Sequence, residues 1–217
     1  MARHETAGLF RLLFQVTSHP SVTKFLFVLS AVLLAACGSR DADNYVPKPK
    51  GYNRIDLPAH QYQALKEAHP YTFEYSRQAR ILPDTFRGAQ PHWIFINYPA
   101  FSASVQLTYH PVQHNEKRLA GMIADSYKLA AMHNEKAYAF KEEVVQLPSG
   151  LKADMLSITG EVPSQLQFFT TDTTTHFLRG AVYFNVATRN DSLAPVIDYL
   201  RKDVLHLLKT LRWKQGS

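Results

Sequence analysis

The stretch THFLRGAVYFNV, Thr175–Val186, decides the fold because its alternation gives one strand two different faces. One face carries Leu178, Gly180, Val182, Phe184 and Val186, and the other carries Phe177, Arg179, Ala181, Tyr183 and Asn185. The first set is apolar, whereas the second is mixed. We therefore predict a strand that places one face on the core and a charged guanidinium on the other.

An amphipathic helix is predicted directly after this strand. It begins near Asp191–Ser192, with Pro195 in its first turn. Apolar residues then recur at helical spacing: Leu193, Val196, Ile197, Leu200, Val204, Leu207, Leu208 and Leu211. Such a stripe must be buried against another element.

The residues before the strand predict further strands and one more helix. Aromatic and β-branched residues favour strands at Pro70–Ser76, Pro91–Tyr98, Ser102–His110, Tyr138–Leu147, Leu151–Glu161 and Gln165–Thr171. The second and third of these form a hairpin, and Pro148–Gly150 is a turn. Leu119, Met122, Ile123, Tyr127 and Ala130 line one face of a helix at Asn115–His133. Short connections and the absence of βαβ alternation predict a single α+β domain with a largely antiparallel sheet packed by two amphipathic helices.

The N-terminus has the order of a secretory signal. Basic residues precede an apolar run of 12 residues, Phe25–Ala36, that is shorter than the roughly 20 residues of a spanning helix. The run ends in LAAC, Leu34–Cys37, which resembles the lipobox of bacterial lipoproteins. We predict a signal peptide at residues 1–36 and a lipid on Cys37; a buried core cysteine is the weaker alternative.

Composition agrees with one exported domain. Cys37 is the only cysteine in 217 residues, so a chain acylated there has no disulfide and depends on an apolar core. The net charge of +6 comes from scattered lysines and arginines, which argues against a nucleic-acid partner. We predict a lipidated cysteine, tether and strip at 37–58, and the α+β domain at 59–217.

A proline-rich strip follows a polar tether, Gly38–Asn44. Three prolines within Tyr45–Pro58 exclude a helix and favour extended backbone. The strip is either a spacer or a preorganised contact element. The residues that would make the contact are Tyr45, Lys48, Tyr52, Arg54 and Asp56.

Several blocks, in order, resemble the gliding motility lipoprotein GldD family of Bacteroidota. They are YVPKPKGY (Tyr45–Tyr52), RIDLP (Arg54–Pro58), PYTFEY (Pro70–Tyr75), DSYKLA (Asp125–Ala130), QFFTTD (Gln167–Asp172), HFLRGAVYF (His176–Phe184), DSLAPVI (Asp191–Ile197) and LRWK (Leu211–Lys214). The resemblance implies an envelope protein of gliding motility and type IX secretion, with no catalytic activity and no cofactor. Its implied partners are other envelope lipoproteins or motility and secretion components, together with a membrane. Because Gly38 after the cysteine is not an inner-membrane retention signal by the enteric rule, we expect the outer membrane, with the protein facing the periplasm.

One departure from the family pattern involves two histidines. Many members of the family carry cysteines where this chain has His69 and His92. The resemblance therefore implies that a cross-link between the first strands is absent here.

The residue patterns that would indicate a metal site, a catalytic triad or a phosphate-binding loop are weak or missing in this sequence. His110 and His114 are four apart, but Pro111 interrupts a helical metal site. A catalytic triad could in principle be composed of Asp172, His176 and Ser126, but no Gly-x-Ser-x-Gly motif surrounds a serine. Asp172 is better explained as part of a turn with side-chain to backbone hydrogen bonds. No glycine-rich phosphate loop is present.

Arg179 is the remaining candidate, because a guanidinium within an apolar strand needs an acceptor or a groove. It is either a partner contact or an ion pair with Asp172 or Glu74. Three functions stay open: a scaffold with exposed apolar patches, a lipoprotein that binds a small molecule or lipid on its sheet face, and a hydrolase with a nucleophile and base in contact.

Overall fold

Two helices and eleven strands make up the computed structural model, which describes residues 55–132, 137–185 and 190–214. The strands are β1 (Tyr62–Ala64), β2 (Tyr71–Thr72), β3 (Glu74–Ser76), β4 (Arg80–Pro83), β5 (Ile94–Tyr98), β6 (Ala103–Pro111), β7 (Ala137–Gln146), β8 (Lys152–Gly160), β9 (Leu166–Thr171), β10 (His176–Phe184) and β11 (Arg212–Trp213). The helices are α1 (Glu116–Ala131) and α2 (Asn190–Thr210).

Seven of these strands form one antiparallel sheet in the order β4-β5-β6-β10-β9-β8-β7. The strand that the sequence singled out is β10, and it lies in the middle, between β6 and β9. β5 and β6 form the predicted hairpin through a 3-10 turn at Pro99–Phe101. The predicted α+β class with a largely antiparallel sheet is confirmed.

The main core lies between one face of this sheet and α2. Val196, Leu200, Val204, Leu207 and Leu208 of the predicted stripe are each no more than 2% exposed. They meet inward-facing residues of the sheet: Ile94, Ile96, Val105, Leu107, Met155, Leu166, Phe168, Leu178 and Val182. Since each large apolar side chain buried in this way contributes about 1.5–3 kcal/mol, this contact dominates the fold.

The opposite face of the sheet is only partly covered by α1. This helix begins where the Asn115 side chain accepts a hydrogen bond from the Arg118 backbone N–H at 2.9 Å. Its predicted face, Leu119, Met122 and Ile123, packs on Val112, Phe169 and Phe177. Neither described helix combines the length and apolar character that crossing a membrane requires.

The structure differs from the sequence prediction at the N-terminal strands. Pro70–Ser76 is not one strand: β2 pairs with β11, whereas β3 pairs with β1. Phe73 separates them, 2% exposed, with its side chain in the core. The short strands β1, β4 and β11 were not predicted, because two to four residues are too few for a periodic pattern. Helix α2 begins at Asn190, so Pro195 lies inside it rather than in its first turn.

A close approach in the centre of the sheet explains the glycine of β10. Gly180 lies opposite Phe168 of β9. A methyl group built on Gly180 would overlap the Phe168 ring at three of its carbon atoms. The ring therefore occupies the space that a side chain at position 180 would need.

Gly180→Ala is predicted to lower the free energy of unfolding by about 1–3 kcal/mol, because overpacking a core forces its neighbours off their preferred geometry. Urea denaturation measures the loss. Gly121→Ala is the matched control: Gly121 lies in α1 with open space around its Cα, so alanine should raise helix stability by about 0.5–1 kcal/mol. Equal effects of the two substitutions would contradict the packing explanation.

Candidate functional site

The most constrained polar cluster joins the N-terminal segment of the described chain to α2. Asp203 of α2 is 3% exposed. Its Oδ1 lies 2.7 Å from His60 Nδ1 and accepts a hydrogen bond from the Tyr62 hydroxyl at 3.1 Å. Its Oδ2 accepts a hydrogen bond from the Tyr98 hydroxyl, also at 3.1 Å. We call these four residues the Asp203 clamp.

Ring stacking reinforces the clamp. The imidazole of His60 stacks on Tyr199 with ring centroids 4.2 Å apart, and Tyr62 stacks on His206 at 3.5 Å. Burial, followed by the charge of Asp203, raises the pKa of both Tyr62 and Tyr98, so both phenols stay protonated donors. Because donors from three elements already occupy the carboxylate, the clamp is an anchor and not a site for a nucleophile.

The sequence interpretation missed Asp203, although a signal was present. Residue 203 is three positions after Leu200 and one before Val204, so it falls on the apolar stripe of the helix. An acidic residue at such a position is buried with partners or it destabilises the fold. The partners could not be named because they lie more than 100 positions earlier in the chain.

His69 and His92, the two positions at which the family resemblance implied cysteines, are in contact. Their Nδ1 atoms lie 3.2 Å apart, and the Tyr71 hydroxyl donates to the His92 carbonyl oxygen at 2.6 Å. Burial, and secondly His92, lowers the pKa of His69. Across the residues that the structure describes, no three His, Cys, Asp or Glu side chains are grouped to hold a metal ion. The two rings therefore link the residues before β2 to those before β5.

The candidate triad is not assembled. The Ser126 hydroxyl donates to the Met122 carbonyl oxygen within α1 at 2.9 Å. Asp172 Oδ1 accepts backbone N–H bonds from Thr174, Thr175 and His176 at 2.8–3.0 Å. Burial alone would raise the pKa of Asp172, but these N–H groups outweigh it and lower that pKa. The interpretation of Asp172 as a turn residue is confirmed.

Arg179 has a different partner from the two proposed. Its Nη2 donates to Gln167 Oε1 at 2.5 Å. Burial lowers the pKa of the guanidinium, and Tyr183 opposes that effect. The expected ion pair with Asp172 or Glu74 is therefore wrong, because Asp172 caps its turn and Glu74 lies 2.7 Å from His206. Arg179 is opposite Thr108 and Phe169, on the α1 side of the sheet.

The contact candidates of the proline-rich strip are described only in part. Cys37, Tyr45, Lys48, Tyr52 and Arg54 lie outside the described residues. Asp56 is exposed, and Ile55 beside it packs against the main core. The end of the strip therefore contacts the domain.

Several large apolar side chains are exposed on α1 and β7, two elements that are in contact. Tyr127 of α1 donates a hydrogen bond to Glu142 of β7 at 2.5 Å, and this bond, with burial second, raises the pKa of Tyr127 to about 12. Large apolar residues of α1 and β7, and Met132 directly after α1, are 36–78% exposed: Tyr127, Leu129, Met132, Tyr138, Phe140 and Val144. We call these six residues the α1–β7 surface. Large apolar side chains exposed on neighbouring elements are candidates for contact with a protein partner.

A small cavity lies between the other face of the sheet and α2. Its volume is about 270 Å³, and its walls include Ile158, Leu166, Ile197 and Arg201. Arg201 donates to Ser157 at 2.7 Å and to Glu143 at 2.5 Å, so its charge is already paired. Cavities for drug-sized ligands usually have about 300–1,000 Å³, so this one suits a small, largely apolar molecule.

Comparisons with known proteins give one family. A family model described as gliding motility lipoprotein GldD matches residues 42–213, a range that contains every strand and helix described above. The solution structure of cyanobacterial PsbP (CyanoP) from Synechocystis sp. PCC 6803 is similar at 10% identity and a TM-score of 0.45, covering 75% of this chain and 98% of that chain. The comparison with curated proteins finds no match.

Asp203→Ala is predicted to lower the free energy of unfolding by about 1–3 kcal/mol, because it leaves the buried hydroxyl of Tyr98 without its acceptor. Urea denaturation provides the measurement. Asp198→Ala removes the same charge from an exposed position of the same helix and should change stability by less than about 0.5 kcal/mol. Tyr98→Phe should add almost nothing in the Asp203→Ala background; additive losses would contradict the clamp.

Proposed function

Because the chain belongs to the gliding motility lipoprotein GldD family, we propose that it is a lipid-anchored component of the gliding and type IX secretion machinery that acts through protein contacts. The observation that carries the proposal is the α1–β7 surface. Its six apolar side chains lie at least one-third exposed on a domain whose core is otherwise well buried. A scaffold or assembly factor needs such a surface, whereas a monomer without partners gains nothing from it.

The described residues support a role without catalysis. The buried carboxylate of Asp203 is engaged by three side chains, and that of Asp172 by three backbone N–H groups. Ser126 donates within its own helix. His176 Nδ1 lies 2.8 Å from the Tyr109 hydroxyl. Each member of the candidate triad thus has a structural partner.

Anchoring follows from the N-terminal sequence. We place the lipid on Cys37 and the folded domain in the periplasm, at the outer membrane, because Gly38 after the cysteine is not an inner-membrane retention signal by the enteric rule. Two or three acyl chains give stable attachment, since each buried methylene contributes about 0.8 kcal/mol. Fractionation that finds the mature protein only in the inner membrane would refute this location.

The proline-rich strip would connect the anchor to the domain as a contact element. Ile55 near its end packs on the core, which supports contact with the domain at the described end of the strip. Tyr45, Lys48, Tyr52, Arg54 and Asp56 are the proposed contacts, and Arg179 adds a polar site on the α1 side of the sheet.

A second candidate function rests on the cavity beside α2. Ile158, Leu166 and Ile197 offer an apolar wall, and Arg201 adds a polar rim. This arrangement favours a small amphipathic molecule as ligand. Ile197→Trp would fill the cavity, and it should abolish any heat of binding measured by titration calorimetry against candidate ligands. Motility that survives this substitution would assign the cavity no part in the main function.

Cells that carry the double substitution Leu129→Glu and Met132→Glu are predicted to lose spreading and secretion of cargo, because two charges on the α1–β7 surface exclude an apolar partner. Complementation of a deletion strain measures both outputs. Phe86→Glu is the control, since Phe86 is 78% exposed away from α1 and β7. The same assay tests alanine at Tyr52, Arg54 and Asp56 together. If the Leu129→Glu and Met132→Glu variant glides and secretes like the parent, the α1–β7 surface is not a contact site. If the triple alanine variant does so, the strip is not a contact element.

Cys37→Ser is predicted to leave the precursor uncut by the lipoprotein peptidase and without lipid, because serine has no thiol for the thioether. Metabolic labelling with a fatty acid and the mobility of the protein on a gel measure both steps. Ser39→Ala, two residues later, should be processed normally. A Cys37→Ser protein that is processed and labelled like the parent would refute lipidation at this residue.

A further inference from the structure

The two edges of the seven-stranded sheet differ. The edge strand β4 has four residues and ends at Pro83. A short strand and a proline both hinder the addition of another strand. The opposite edge strand, β7, has 10 residues and contains no proline. Among the described residues it pairs with β8 alone, so the backbone groups of its outer edge face no strand.

The side chains of β7 lie in a defined alternation. Glu142 is bonded to Tyr127 of α1, whereas Glu143 is bonded to Arg201 of α2. Successive residues of a strand point to opposite faces, so Phe140 and Val144 share the α1 face with Glu142, and Lys141 shares the α2 face with Glu143. Phe140 and Val144 are 44% and 54% exposed.

The sequence of β7 is self-complementary when the strand meets a second copy in antiparallel orientation. Residues opposite each other in such a pair share a face, so a two-fold axis normal to the sheet must pass through a residue position and not between two. With the axis at Glu142, Phe140 lies opposite Val144 of the second copy, and Lys141 lies opposite Glu143 of the second copy. Because the pair is two-fold symmetric, the Phe140–Val144 contact and the Lys141–Glu143 contact each occur twice.

The two neighbouring registers place less favourable residue pairs opposite each other. An axis at Lys141 would set lysine against lysine and Phe140 against Glu142. An axis at Glu143 would set Glu142 against Val144 and Lys141 against Val145. The favoured register has one cost, the meeting of Glu142 with its own counterpart at the centre, and a hydrogen bond from Tyr127 satisfies that carboxylate.

We propose that β7 is the interface of a homodimer, in which two copies pair antiparallel about Glu142 and continue the sheet from one molecule into the next. The pairing satisfies the open backbone edge and covers two exposed apolar residues on each copy. It also places Lys141 of each copy opposite Glu143 of the other, so that Lys141, which lies 3.2 Å from Glu143 of its own strand, can form the same ion pair across the interface. The proposal concerns self-association and does not depend on the motility role.

Cysteine cross-linking tests the register directly. Residues opposite each other in an antiparallel pair have Cα atoms about 4.5–5.5 Å apart, which is within the range that a disulfide bridges. Full-length protein with Glu142→Cys should therefore form a covalent dimer under mild oxidation in membranes. Leu82→Cys is the control, because Leu82 is 44% exposed on the other edge strand, and the parent chain controls for Cys37. No dimer with Glu142→Cys, or equal dimer with Leu82→Cys, overturns the proposal.

Light scattering of the detergent-solubilised full-length protein is the second measurement. The parent should have the mass of a dimer. Val144→Lys should weaken the dimer at least about tenfold, because both Phe140–Val144 contacts are lost. Adding Phe140→Glu to Val144→Lys should restore it through two opposite-charge pairs. A monomeric parent, or a Val144→Lys variant as tightly dimeric as the parent, overturns the proposal.

Discussion

Burial of the α2 stripe against one face of the seven-stranded sheet is the contact on which the rest of the structure depends. β10 lies in the centre of that sheet and leads directly to α2, so the two elements that form most of the core are adjacent in sequence. Gly180 is part of this arrangement, because the Phe168 ring fills the space above it. Without this layer, the short strands β1, β2, β3 and β11 would have nothing to pack against.

The two faces of the sheet have different roles as a result. The α2 face holds nearly all of the large core, and the cavity beside Arg201 is the space left at its margin. The α1 face has smaller apolar clusters and carries Arg179 and the partly exposed end of α1. Residues available for contact with other proteins therefore concentrate where burial is incomplete, and stability is supplied from the other side.

Periodic elements were predictable from the sequence, and long-range polar partners were not. The alternation of β10 and the stripe of α2 each extend over nine or more residues, which is enough to fix type and face. The splitting of Pro70–Ser76 depends on two separate partner strands, of which β11 is far along the chain. Likewise, Arg179 bonds to Gln167 and not to a carboxylate, because strand register decides which side chain lies within reach. The aromatic residues of β7 were read correctly as strand, but their exposure depends on β7 being an edge, which only the topology fixes.

The position of the Asp203 clamp has a mechanical consequence. A pull on the chain before Ile55 passes through Ile55, which packs on the main core, to His60 and Tyr62, which bond to Asp203 of α2. Tension would thus be carried by a buried carboxylate and two stacked ring pairs before it reached the sheet. Because of the clamp, the pulling force acts on α2, the most deeply packed helix, and not on an edge strand. An edge strand under the same force would lose its hydrogen bonds to the sheet one at a time. If the domain is held by the proposed lipid on Cys37, the clamp would carry the load while the exposed surface of the domain stays folded.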